Sequence, residues 1–127
     1  VLVRRLLQLN LLVSAAIAVS FITFPGQSLS LYGITSTDAL RAIAQYFGTA
    51  HVSFAILLWL ALRGNDPRFL RAIVASFFVG DLAGSVVLLF AQLHGVMNAM
   101  GWGLIGLSFL FAVGYGYGVL RRFPASE

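Results

Sequence analysis

Apolar residues in this chain fall into four long runs, each close to the roughly 20 residues a helix needs to cross about 30 Å of hydrocarbon. The first runs from Leu6 to Phe24 and meets Pro25-Gly26, a helix-ending pair. The second runs from Ala42 to Leu62 and ends at Arg63-Gly64. Asp66-Pro67 then forms a helix start, with Asp as N-cap and Pro at the first helical position. The third run, Ala72 to Leu93, is closed by His94-Gly95. The fourth, from about Ala99 to Leu120, is opened by Asn98 and closed by Arg121-Arg122, with Pro124 beyond. The pattern predicts an all-α, membrane-spanning four-helix bundle over a single domain, residues 1–127.

The connections sharpen this picture. The segment from Pro25 to Thr37 is itself fairly apolar, through Leu29, Leu31, Tyr32 and Ile34, and suits a short helical turn lying along the membrane interface. Ser36 or Thr37 can cap the second span, and Asp38 precedes Arg41 by three residues, a helical ion-pair spacing. Tyr32, Trp59 and Trp102 lie near span ends, where amphipathic rings prefer to sit.

Composition agrees with a lipid-facing exterior. The chain is 60% hydrophobic and 9% charged, and a water-soluble globule with so few charges would present an aggregating apolar surface. All the positive residues are arginines, clustered beside the apolar runs. If the four spans alternate, Arg4, Arg5, Arg63, Arg68, Arg71, Arg121 and Arg122 fall on one side and only Arg41 on the other. That bias predicts the N-terminus, the middle loop and the C-terminus in the cytoplasm. It is not the footprint of a nucleic-acid binder. Arg4-Arg5, the following apolar stretch and the small residues around Ala15 to Ala18 also have the outline of a signal peptide, against which we prefer a first span. With no Cys there is no disulfide or thiolate chemistry, and with no Lys there is no Schiff base.

Lipid tails are as apolar as leucine, so small residues and polar contacts must hold such a bundle together. Ala72, Ser76, Gly80 and Gly84 recur at four-residue steps in the third span, Ala44, Gly48, His51 and Ala55 lie within one side of the second, and the fourth carries Gly114, Gly116 and Gly118, with Gly101, Gly103 and Gly106 nearer its start. Gly48, Ser76, Gly80, Gly84, Gly114 and Gly118 are therefore the expected packing positions.

One intramembrane group stands out. Asp81 lies roughly 14 Å into the third apolar run at about 1.5 Å per residue, and His51 lies roughly 16 Å into the second from the same side. An aspartate at that depth must pair, adjoin water or take up a proton. An Asp81–His51 contact is the simplest way to satisfy both. Asp81 shares a helical face with Ser85, Gly84 and Gln92, and His51 shares one with Gln45, Gly48 and Arg41. Together they form a candidate polar seam leading toward Asn98 and His94. A haem held by two histidines of one chain would need His51 and His94, whose depths differ by more than about 10 Å. No metal-spacing cluster, phosphate loop or catalytic triad is present in the sequence.

The segments Leu31-Tyr32-Gly33-Ile34, Phe47-Gly48-Thr49-Ala50 and Val96-Met97-Asn98-Ala99-Met100-Gly101-Trp102 resemble the small four-helix inner-membrane proteins of bacteria, broadly the DoxX-like and neighbouring families of unknown function. The resemblance implies the fold and a multi-pass place in the cell's inner (plasma) membrane, and no reaction. The leading expectation is a non-catalytic accessory or scaffold subunit of a larger bacterial inner-membrane complex, in contact with lipid and with other membrane chains or further copies of itself. The alternatives are a small oligomeric transporter or proton-linked channel using Asp81 and His51, and a pigment- or haem-binding subunit using His51. Beyond lipid, no cofactor is required.

Overall fold

A computed structural model describes residues 2–64 and 66–122, and Pro124 lies outside them. Four long helices, α1 (Leu2–Thr23), α3 (Asp38–Arg63), α4 (Pro67–Leu93) and α5 (Met100–Arg122), are joined by short turns and one short helix, α2 (Pro25–Leu31). The fold class is all-helical, as the apolar pattern predicts.

Local chemistry sets the helix ends. The Thr37 hydroxyl accepts the Leu40 N–H at 3.2 Å and caps α3, while Asp66 Oδ1 accepts the Arg68 N–H at 2.8 Å ahead of Pro67 at the start of α4. Asn98 Oδ1 accepts the Met100 N–H at 2.9 Å at the head of α5. Asp38 and Arg41 form the expected ion pair at 3.5 Å. Pro25 ends α1 but starts α2, which folds back so that Ser28 Oγ donates to Ser20 O at 3.0 Å. The helices overrun the apolar runs: α1 begins at Leu2 and α3 at Asp38. An apolar run measures the hydrocarbon layer, whereas helical hydrogen bonding continues through the interface, where long charged side chains reach water.

The bundle is two antiparallel pairs. α1 lies along α3 and α4 along α5, with lighter contact of α1 on α5 and of α3 on α4. Small residues set the close approaches. A Cβ added to Gly48 would stand 2.9 Å from Ile22 on α1, and one on Gly114 would stand 2.6 Å from Leu6. The two pairs share a core of Val3, Leu7, Leu58, Ala61, Ile73, Val74, Phe111 and Tyr115. Every long helix contributes to it, and it sits at the end of the bundle that carries Arg4, Arg5, Arg63, Arg68 and Arg71, hereafter the arginine end. There the Arg63 guanidinium stands 4.4 Å over the Trp59 ring.

At the opposite, loop end, the pairs are tied by backbone. Asn98 donates through its N–H to Tyr32 O at 2.8 Å and through Nδ2 to Leu31 O at 3.0 Å. Tyr32 is half-buried there, and burial raises its phenol pKa, which keeps it neutral.

No more than 28% of the most apolar window of any long helix is buried inside the chain. Leu12, Ile43, Val87 and Leu93 are exposed on the outside of the bundle. All four long helices are long and apolar enough to cross a membrane, and an apolar exterior of this extent suits lipid and not water.

Candidate intramembrane polar site

His51 does not meet Asp81. Its Nδ1–H donates to the carbonyl of Phe47, one turn back on α3, at 3.1 Å, and its ring packs between two phenylalanines. The Phe47 ring lies 4.4 Å away and the Phe54 ring 5.3 Å away, centroid to centroid. The column continues from Phe54 to Phe77 at 5.7 Å and on to Tyr115 at 6.0 Å, crossing from α3 through α4 to α5. The expected Asp81–His51 pair is absent because α3 presents its close-packing face to α1 and not to α4. Equal depth on consecutive spans puts two residues at one level but does not turn them toward each other.

Asp81 sits near the middle of α4 and faces α5. Its backbone carbonyl accepts two hydroxyl donors, Ser85 Oγ at 2.7 Å from its own helix and Ser108 Oγ at 3.0 Å from α5. Gly84 lies beside this contact, where a Cβ would stand 3.6 Å from Ser108 Oγ, an ordinary van der Waals distance. The carboxylate itself is less well served. Oδ2 is buried and has no hydrogen-bond partner among the described residues. A carboxyl oxygen at mid-span with an unused lone pair can hold a proton or meet a polar group brought to it.

The rest of the proposed seam disperses. Gln45 Nε2 donates to Ile22 O of α1 at 3.2 Å. Arg41 donates through Nε to Ser36 Oγ at 3.0 Å, at the loop end. Gln92 Nε2 donates to Asn98 O at 3.2 Å, bracing the turn between α4 and α5, while its Oε1 is buried without a partner among the described residues. His94 Nδ1–H donates to Phe90 O at 2.8 Å. Among the described residues no group of three or more His, Asp or Glu side chains is placed to hold a metal ion.

A second polar cluster was not anticipated. Asn10, Ser14 and Tyr115 are all buried, the last completely. Ser14 Oγ donates to Asn10 Oδ1 at 3.2 Å, Asn10 Nδ2 donates to the Tyr115 hydroxyl at 3.0 Å, and that hydroxyl donates to Leu6 O at 3.4 Å. The chain of bonds fixes α1 to α5. The available signal was Asn10, a carboxamide inside the first apolar run. Its partner was hidden in a glycine-tyrosine run near the other end of the chain.

The small residues divide into two sets. Gly48, Gly84, Gly114 and Gly118 lie at contacts within the chain, the last against Val3. Ser76 and Gly80 do not. Both are exposed, as is Ala72, and among the described residues nothing lies within 4 Å of where a Gly80 Cβ would be. Ser76 Oγ is satisfied by Ala72 O of its own helix at 2.8 Å.

No protein-family model, curated protein or solved structure matches the chain. The likeness to DoxX-like proteins therefore rests on its short segments alone. Fold and surface define a class: a multi-pass helical membrane protein.

Proposed function

We propose that the chain is an accessory or scaffold subunit of a larger assembly in the bacterial inner membrane, non-catalytic, with the arginine end in the cytoplasm. The observation that carries this is the ridge Ala72, Ser76 and Gly80, three exposed small residues at four-residue steps on the outer face of α4, with nothing among the described residues within 4 Å of where a Gly80 Cβ would be. In lipid a stripe of small residues lets a second helix approach closely enough for dispersion and weak polar contacts to hold it. The excess of arginines at one end supports the orientation.

The test is the state of the tagged protein after gentle detergent extraction from its own membrane. A larger particle with a partner chain, or with a further copy, in fixed proportion is expected. Gly80→Leu should break that particle while leaving the helix content and thermal unfolding of the free chain unchanged, because its Cβ meets nothing within 4 Å among the described residues. Recovery only as a free monomer overturns the reading.

A second reading, a small oligomeric transporter or proton-linked channel, is favoured by one observation, the buried and unpartnered Oδ2 of Asp81 at mid-span. In that case Asp81→Asn abolishes proton-linked flux in liposomes without unfolding the bundle. Flux equal to that of the parent protein removes it.

A further inference from the structure

The outward face of α4 carries a longer pattern than its small residues. Ala72, Ser76, Val79, Ala83, Val86 and Phe90 follow one another at alternating steps of four and three residues, and all six are exposed. Such steps repeat every seven residues, the period that keeps one seam of a helix against a second helix along a left-handed crossing. The seam runs from Ala72 to Phe90, about 27 Å at 1.5 Å per residue, nearly the depth of the hydrocarbon layer. It lies opposite the face that α4 buries, where Ile73, Val74 and Ser85 are enclosed and Phe77 meets Tyr115 of α5. Gly80 stands at the edge of the seam, beside open space.

An apolar face can be covered by lipid, so the choice of occupant turns on symmetry and charge. The arginine bias between the two ends inserts every copy of the chain the same way round. Two α4 helices can therefore meet only in parallel, about a two-fold axis along the membrane normal, with each seam residue close to its own counterpart. Small then meets small at Ala72, Ser76 and Ala83, where two backbones can approach closely, and valine meets valine at Val79 and Val86. A parallel pair also brings like ends together. Asp66, the cap of α4, and Arg68, in its first turn, flank the seam on opposite sides. The two-fold axis exchanges the flanks, so each Arg68 comes beside Asp66 of the second copy, about 3 Å apart in level along the axis. Within one chain the Arg68 N–H donates to Asp66 Oδ1 at 2.8 Å, and among the described residues neither side chain makes an ion pair. We propose that α4 pairs in parallel with α4 of a second copy through this seam, with reciprocal Arg68–Asp66 ion pairs at the arginine end. The inference rests on the scaffold reading above and names the partner which that reading leaves open.

The chain has no cysteine, so a single introduced thiol reports on its own counterpart. In native membranes under mild oxidation, Ser76→Cys, Val79→Cys and Ala83→Cys should each give a disulfide-linked dimer. Leu12→Cys on α1 and Ile56→Cys on α3, also exposed, should not. In detergent, Asp66→Asn, which keeps a capping side chain, and Arg68→Gln should each weaken dimerisation about fivefold, the equivalent of roughly 1 kcal/mol for two exposed ion pairs. The double variant should be no weaker than either single one, because both remove the same pairs. A native particle that holds a different chain and gives no seam disulfide overturns this proposal and leaves the scaffold reading in place. Recovery only as a free monomer overturns both. Cross-linking as strong at Leu12 and Ile56 as along the seam, or losses that multiply in the double variant, would each overturn the paired seam as well.

Discussion

Asn10 on α1 donates to the hydroxyl of Tyr115 on α5 at 3.0 Å, joining residues that stand 105 positions apart in the chain. The bond lies beside the core at the arginine end, where all four long helices meet. Its location explains why two polar side chains are tolerated there. Asn10 is held in turn by Ser14, and Tyr115 passes its own proton donor to Leu6 O, so the buried groups satisfy one another.

Tyr115→Phe keeps the ring against Phe77 and Phe111 but leaves the Asn10 amide without its acceptor. The expected cost is about 1 kcal/mol, in line with hydrogen bonds between membrane helices, which average about 0.6 and reach about 1.7 kcal/mol. A double-mutant cycle with Asn10→Leu should recover most of this as coupling, because removing both partners leaves nothing unpaired. Unfolding in mixed micelles measures it, and additive single effects would show that the two side chains do not act together.

Asp81 calls for the opposite sign. Its main-chain carbonyl, not its carboxylate, receives Ser85 and Ser108. Asp81→Leu therefore keeps both of those bonds and removes a buried oxygen without a partner. The variant should be more stable by about 1 to 3 kcal/mol, the usual cost of an unsatisfied buried polar group. A loss of stability in the same mixed-micelle unfolding would mean that the carboxylate is engaged in the folded protein.

Gly48 and Gly80 make a matched comparison. Leucine at Gly48 must displace Ile22 and the α1 backbone, whose nitrogen would lie 3.2 Å from the new Cβ, so it should cost about 1 to 3 kcal/mol and weaken the α1–α3 pair. At Gly80 the Cβ of a leucine meets nothing within 4 Å among the described residues, and the substitution should leave thermal unfolding within about 0.5 kcal/mol of the parent. Equal effects at the two positions would mean that both glycines lie at contacts of the same kind.

These cases show which features were legible in the residues and why. Spans and helix ends were, because hydropathy and capping are local: Thr37, Asp66-Pro67 and Asn98 act on amides two or three residues away. The partner of each helix was not. Depth along a span follows from counting residues, but the direction a side chain faces depends on which neighbour its helix packs against. His51 and Asp81 share a level and belong to different pairs, one within α1–α3 and the other within α4–α5. The four-step ridge on α4 raises the same difficulty. Its spacing marks a packing surface, yet Gly84 meets Ser108 while Ser76 and Gly80 face outward, a distinction made only by the rotation of the helix. The Asn10–Tyr115 bond needed both the pairing and the rotation.

Asn98 is the remaining clamp, and its loss should be felt at one end only. Its side chain caps α5 through Oδ1 and reaches across to Leu31 O through Nδ2, while its N–H holds Tyr32 O. Gly33 is fitted to this contact twice over. Its φ of 75° favours glycine, and a Cβ there would stand 3.0 Å from the Asn98 Cβ. Asn98→Ala removes the cap and the cross-link but keeps the backbone bond, and should cost about 1 to 2 kcal/mol. Gly33→Ala should cost a similar amount through backbone strain, about 1 to 2 kcal/mol. In hydrogen exchange followed by mass spectrometry, both variants should exchange faster over residues 31–33 and 94–98. Protection around Leu7, Leu58 and Tyr115 should be unchanged, because the core at the arginine end holds the pairs together by itself. Faster exchange at both ends would show instead that the bundle opens as one cooperative unit, with the loop-end clamp supporting the whole of it.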